Sequence, residues 1–353
     1  MSERGPTLKD VARHAGVHPS TASRCLDPRQ VERIGEETRE RVLRAARALS
    51  YRPHPEASNL RRRRSHCVGV LIPDLTNPIN AMLLRGISDK LESEGYTSVI
   101  FETRDSETRL DRALEGLKDR RVEGVVNTAA RHGDGRRLRE FMRDGTPVVF
   151  AARDISGVQA TRVLADDFRG GALAAGHLLS LGHRRIGQIT GPADVAAFVE
   201  RARGLRSVLL EAGVPAESAT VEAASGSVGE GRSGAQRLLR TEPAPTAIFA
   251  HNDLLAIGAI AALHEAGLRC PDDLSVVGYN DTPLTEYLAP ALSTVRLPAV
   301  EVGQLAAERL LAALHEDVTS ATVVSLQPVL IARESTAPCP GARLSQTRLR
   351  SKT

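Results

Sequence analysis

From Cys67 onward, short runs of apolar and β-branched residues alternate with longer stretches of helical periodicity. CVGVLI, TSVIFE, GVVNTA and PVVFAA have the length and composition of strands. Between them Ile79–Glu94, Glu107–Arg120 and Asp134–Asp144 read as helices. After Asp166 the pattern resumes: helix Arg169–Leu181, strand RIGQIT, helices Glu200–Ala212 and Gly231–Leu239, strand AIFA, helix Asp253–Ala266, strand SVVGYN. Such alternation predicts an α/β body of two doubly wound parallel sheets with helices on both faces. Each sheet takes ligands at the carboxyl ends of its strands, and two lobes make a cleft.

The first fifty residues follow a different pattern. TLKDVARHAGVHPSTASRCL, Thr7 to Leu26, reads as two short helices joined by a tight turn. Thr7 and Asp10 form a capping box, and Leu8, Val11, Ala12 and Ala15 supply an apolar stripe. Gly16 tolerates the positive φ a tight turn needs, and Pro19 suits the first turn of the second helix. That helix buries Ala22, Cys25 and Leu26 and turns Ser20, Thr21, Ser23 and Arg24 outward, a face shaped for the major groove of DNA. A third helix, about Glu36–Ser50, closes an all-α headpiece, and Tyr51-Arg52-Pro53 ends it.

Charge divides at the same place. Residues 1–64 hold 15 Lys and Arg against 8 Asp and Glu, and the remaining residues hold 32 against 35. A basic head on a slightly acidic body is the footprint of a nucleic-acid module joined to something else. The four cysteines, Cys25, Cys67, Cys270 and Cys339, are scattered, which argues against a zinc site or a disulfide framework. No cofactor or metal site is expected. The N-terminal stretch lacks an apolar core and no run approaches a membrane span, so the expected location is the cytoplasm. A P-loop, GxSxG and HExxH are absent; GSVGEG near Gly226 has the wrong glycine order for a dinucleotide fold and no strand directly before it. The reading is therefore not an enzyme, and a periplasmic carrier would need an export signal and no basic head.

LKDVARHAGVHPSTASRCLD, followed by TRERVLRAARALSYRP, LRRRRSHCVGVLIPDLTNP and, near the C-terminus, VLIARESTAP, resembles the lac-repressor/galactose-repressor family of transcription factors. The resemblance runs over nearly the whole chain. It implies a helix–turn–helix DNA-binding domain at 1–53, a hinge helix or linker at 54–66, and a two-lobed, periplasmic-binding-protein-like effector and dimerisation domain at 67–334. Lobe one would be 67–163 and 296–325, and lobe two 164–293 and 327–334. Residues 335–353, rich in Pro, Gly, Ser and Arg near their end, read as a disordered tail. They hold no leucine heptads, so a homodimer is expected rather than a tetramer.

The resemblance also assigns roles. Pro19, Ser20 and Arg24 would face base edges of a near-palindromic duplex operator, and Thr7, Thr21 and Ser23 would meet phosphates. Leu60 matches the leucine that the hinge pushes into the minor groove, and Ala57 the small residue facing it. Arg61 to Arg64 would add phosphate contacts. In the cleft, Arg201, Asn252 and Asn280 match effector-contacting positions; Asp74 and Asn77, after the first strand, should line the same space, and Arg153 stands beside it. Two departures bear on the ligand. Ala152-Arg153 stands where many members carry Asp, and Asn280 where many carry Asp, so the cleft loses carboxylates. The expected effector is not a plain aldohexose but a small carbohydrate-like or anionic metabolite, an anionic or phosphorylated compound lying near Arg153 and Arg201. The alternative is a DNA-binding regulator with no small-molecule effector.

Overall fold

In a computed structural model of the chain, residues 6–26, 34–51, 65–214, 220–315 and 320–340 are described. They form two compact units divided at Ser65. The expected hinge residues Ala57 and Leu60, and the tail beyond residue 340, lie outside the described residues.

The first unit holds three helices, α1 (Leu8–His14), α2 (Pro19–Cys25) and α3 (Glu36–Ala48). Val11, Ala12, Ala15, Ala22, Cys25, Val42, Ala45 and Ala46 make its core, with Leu8, Leu26 and Tyr51 against it. Gly16, at φ +66°, ends α1. The Gly16 N–H reaches the Arg13 carbonyl at 3.3 Å and the Val17 N–H that of Ala12 at 3.0 Å, a closed C-terminal cap.

The second unit carries two six-stranded sheets. Lobe one contains β1 (Cys67–Ile72), α4 (Pro78–Ser93), β2 (Thr97–Glu102), α5 (Glu107–Asp119), β3 (Gly124–Asn127), α6 (Gly135–Met142), β4 (Val148–Ala151) and β5 (Thr161–Ala165). Lobe two follows with α7 (Asp167–Ser180), β6 (Ile186–Thr190), α8 (Ala196–Glu211), β7 (Thr220–Glu222), α9 (Val228–Leu238), β8 (Ala247–Ala250), α10 (Asp253–Glu265), β9 (Ser275–Asn280) and β10 (Ser293–Arg296). The chain then returns to lobe one for α11 (Ala299–His315) and β11 (Val323–Leu326), and finally gives β12 (Val329–Ile331) to lobe two. The strand orders are β11-β5-β4-β3-β1-β2 and β12-β10-β9-β8-β6-β7. Every pairing is parallel except β10 with β12. No helix among the described residues is long and apolar enough to cross a membrane.

Several elements escaped the sequence reading. Strand β5 carries Arg162 as its second residue, which hides its β character. The guanidinium is satisfied in place, donating to Asp154 at 2.5 Å and to the carbonyls of Ile155, Val158 and Ala160. Strand β7 is a three-residue edge. Of the GSVGEG run, Val228 to Gly231 lie inside α9, and Gly231 serves packing: a Cβ there would sit 2.2 Å from the Leu255 carbonyl oxygen. Residues 335–340, expected in the tail, belong to lobe two. Ser335 is fully buried, and its hydroxyl donates to the Val276 carbonyl at 2.6 Å. The buried His183 joins the same segment, contacting Thr246 and the Ala337 carbonyl, both at 3.0 Å.

Three helix pairs meet backbone to backbone through reciprocal glycines. Gly86 of α4 lies against Val300 and Gly303 of α11 against Leu83; Gly231 and Gly258 do the same for α9 and α10. In the third pair, a Cβ on Gly171 of α7 would sit 2.0 Å from the Arg201 carbonyl oxygen, and one on Gly204 of α8 1.8 Å from that of Phe168. Gly176, on α7 as well, is exposed with nothing within 4 Å of such a Cβ. The two alanine substitutions therefore have opposite signs. Gly171→Ala overpacks the seam and costs about 1–3 kcal/mol, whereas Gly176→Ala gains about 0.5–1 kcal/mol from helix propensity. Urea denaturation of the two variants checks the order.

Candidate functional site

In the headpiece, local bonds organise the outward face. Thr7 Oγ1 donates to Asp10 Oδ2 at 2.6 Å, and the Thr7 N–H reaches the same oxygen at 3.0 Å, closing the expected capping box. The second helix is capped by His18, which the sequence reading missed. Its Nδ1 accepts from the Ser20 N–H at 3.3 Å and the Ser20 hydroxyl at 2.8 Å. Arg24 stays exposed, its Nε resting 3.3 Å from the Ser20 carbonyl. Pro19, Ser20, Thr21 and Ser23 are half-buried, while Ala22 and Cys25 face the core. One helix thus presents a cation and small hydroxyls away from its apolar side.

In the body, the strand order reverses between β1 and β3 in lobe one and between β6 and β8 in lobe two. The carboxyl ends of these strands are where doubly wound sheets hold ligands. The two switch points are joined directly. Arg131, after β3, forms an ion pair with Asp194, after β6, and the His132 N–H donates to the Asp194 carbonyl at 3.0 Å. Arg131 also donates to the Asp105 carbonyl. This clasp across the lobes was not foreseen.

The expected lobe-one residues have local duties. Asp74 Oδ1 accepts from the Thr76 N–H at 2.8 Å and its hydroxyl at 2.7 Å. Asn77 caps α4. Buried Asn80 donates to the Asp74 carbonyl at 2.6 Å and holds the turn. Arg153 is paired with Asp105 at 2.6 Å.

Lobe two builds its edge around Arg201, 7% exposed. Its Nε donates to Asp167 at 2.8 Å and its Nη1 to the His251 carbonyl at 2.5 Å. The guanidinium lies 3.7 Å from the centre of the Tyr279 ring, and the Tyr279 hydroxyl donates to Asp167 at 2.9 Å. Burial raises the Asp167 carboxyl, while the Arg201 charge opposes it. Burial and that same charge push the His251 imidazole well below its usual range, so it is neutral. Gly170 makes room for the Tyr279 hydroxyl, 2.3 Å from where a Cβ would stand. Asp167, Tyr279 and Gly170 were missed. The available signal was the rule that a buried arginine requires a carboxylate.

The two asparagines differ. Asn252 is engaged: its Oδ1 caps α10 at the Leu255 N–H, 2.7 Å, and its Nδ2 donates to the Gly226 carbonyl at 2.9 Å. Asn280 is 4% exposed, and among the described residues no partner engages its side-chain amide. Its backbone is strained, with φ +118° followed by +55° at Asp281. Asp281 is pinned by Arg296 and Arg333, each at 2.7 Å. Burial alone would raise its carboxyl; these bonds outweigh that and hold it below the usual carboxylate range. Arg201, Asn252 and Asn280 thus share one sheet edge, and Asn280 is the one with a free amide.

Comparison with known proteins agrees with this geometry. Residues 7–54 match the bacterial regulatory proteins of the lacI family, and residues 175–336 match the periplasmic binding protein-like domain. The ribose operon repressor of Bacillus subtilis is 35% identical over 334 residues, covering 94% of this chain and 98% of that protein. The solved complex of the transcriptional regulator CelR with cellobiose is similar with a TM-score of 0.72 at 30% identity, covering 94% and 99% of the two chains. The lac repressor dimer bound to operator and the anti-inducer ONPF is similar with a TM-score of 0.84 at 27% identity, covering 95% and 100%. With the α2 face, the two switch-point sheets and these likenesses in hand, the chain belongs to the lacI family of bacterial regulatory proteins, DNA-binding regulators of transcription.

Proposed function

We propose that this chain is a cytoplasmic repressor, and not an enzyme, that binds a near-palindromic operator as a homodimer and answers to a neutral carbohydrate held between its lobes. The observation that carries the reading is the union of an outward α2 face bearing Ser20, Thr21 and Arg24 with a cleft edge bearing the unpaired Asn280 amide. Arg24 pairs with a guanine, Pro19 and Ser20 touch base edges, and Thr7, Thr21 and Ser23 serve phosphates. Ala57 and Leu60 keep their proposed minor-groove role on the strength of the family pattern.

For the ligand, charge pairing favours a neutral one. Both candidate cations already hold carboxylates, Arg153 with Asp105 and Arg201 with Asp167. An anion would have to displace one of them. A hydroxyl needs only the donors and acceptors that a guanidinium and an amide leave over. The relatives that carry ribose and cellobiose in their names support the same class. Ligand binding biases the lobes, and so the headpieces, by a reciprocal coupling of about 1–3 kcal/mol.

Calorimetry of the purified protein with D-ribose and cellobiose, beside ribose 5-phosphate and cellobionic acid, tests the ligand class. Heat from a neutral sugar and none from the charged pair is expected; tighter binding of the charged pair overturns the reading. Arg24→Ala should cost about 1–3 kcal/mol per half-site on operator and much less on random duplex, measured by fluorescence anisotropy. Equal losses on both would deny Arg24 a role in base reading. Arg131→Ala opens the clasp. A half-exposed pair of this kind is worth about 0.2–1 kcal/mol, so sugar affinity falls no more than about fivefold, and small-angle scattering of the ligand-free chain shows a larger radius.

A further inference from the structure

We infer that the buried carboxylate of Asp253 is a positioning residue for Asn280, holding the left-handed turn that aims the free amide; this rests on the effector reading above and deepens it.

Asp253 opens α10 and is 1% exposed. Its Oδ2 accepts from the Thr282 N–H at 2.8 Å and from the Thr282 hydroxyl at 3.0 Å. Its Oδ1 accepts from the Thr294 hydroxyl at 2.7 Å. That hydroxyl in turn accepts from the Asp281 N–H at 3.3 Å. One carboxylate therefore gathers both amides that follow Asn280, the first through Thr294 and the second directly. Asn280 and Asp281 both have positive φ, a conformation that side-chain-bearing residues hold when their surroundings over-determine it. Room for the carboxylate comes from Gly278, where a Cβ would stand 2.7 Å from Asp253 Oδ1.

All three groups bound to Asp253 donate to it, so the arrangement needs the ionised form. A protonated carboxyl must itself donate. If it donates to Thr294, that hydroxyl must turn its own proton elsewhere; if to Thr282, one of the two bonds there is lost. Burial pushes the Asp253 carboxyl up to about 6, opposed by the bonds from Thr282 and Thr294 and reinforced by the nearby Asp281 charge. Around it, Asp281 is paired to Arg296 of β10 and to Arg333, His251 is neutral, and Arg201 is spent on Asp167 and the His251 carbonyl. Because the folded value lies above the ordinary aspartate value of 3.8, the fold binds the proton more tightly than the unfolded chain. The contribution of Asp253 to global stability therefore falls as pH rises through that window. Order in the Asn280 turn moves the other way, which a purely structural carboxylate would not do.

Hydrogen exchange of the full-length protein, read on peptides spanning residues 279–284 and corrected for intrinsic rates, tests this. One pH unit below its midpoint about a tenth of the molecules keep the carboxylate. Protection of the Asp281 and Thr282 amides should therefore fall about tenfold between pH 7.5 and pH 5. In Asp253→Asn it should be low at both pH values. Thr294→Val, which keeps the carboxylate, should expose the Asp281 amide and spare Thr282. Protection that is flat with pH in the unaltered protein, or untouched in either variant, overturns the inference. If exchange behaves as stated while D-ribose and cellobiose give no heat, the positioning stands and the effector reading falls.

Discussion

A buried charge must be answered, and in lobe two the answer is shared among distant parts of the chain. Arg201 stays charged beneath the cleft because Asp167, from the helix that begins lobe two, meets its Nε at 2.8 Å. Tyr279, from a strand more than seventy residues further on, covers its face and binds the same carboxylate. Removing one partner of such a pair leaves an uncompensated charge, a loss far larger than the net value of the pair. The two glycines that start this seam, Gly170 and Gly171, exist to let Tyr279 and α8 come close enough. Helix packing and site geometry are here one arrangement.

The same economy governs the Asn280 turn. Its left-handed backbone is flanked by two carboxylates, the buried Asp253 at the start of α10 and Asp281 pinned by Arg296 and Arg333. The neighbouring Asn252 is consumed by capping. Two asparagines at equivalent strand ends thus have different chemistry, and burial does not separate them. What separates them is whether a helix start claims the amide.

Much was legible in the sequence where the causes are local. The Thr7–Asp10 capping box, Gly16 in the turn and the apolar stripe of α1 involve residues a few positions apart, so spacing suffices. The alternation of strands and helices was legible because period itself reports burial. Less so were elements whose side chains contradict their backbone, such as β5 with Arg162, and α8, which starts at Ala196 ahead of its charged turn. Helix α11 carried its period openly in Val302, Ala306, Leu310 and Leu311, and was overlooked beside the stronger pattern before it. The partners of the site were illegible for another reason. Asp167 and Tyr279 are 112 positions apart, and Arg131 meets Asp194 across two lobes. No spacing rule connects residues that topology alone brings together.

The chain's order has one more consequence. Lobe one lacks a sheet strand until β11 is made, and lobe two lacks its edge until β12 and the buried Ser335 arrive. On the ribosome the three-helix head emerges first and needs none of this to form its core. A message cut short before β11 would therefore release a folded head with an unfinished sensor, a product whose contact with DNA no metabolite governs.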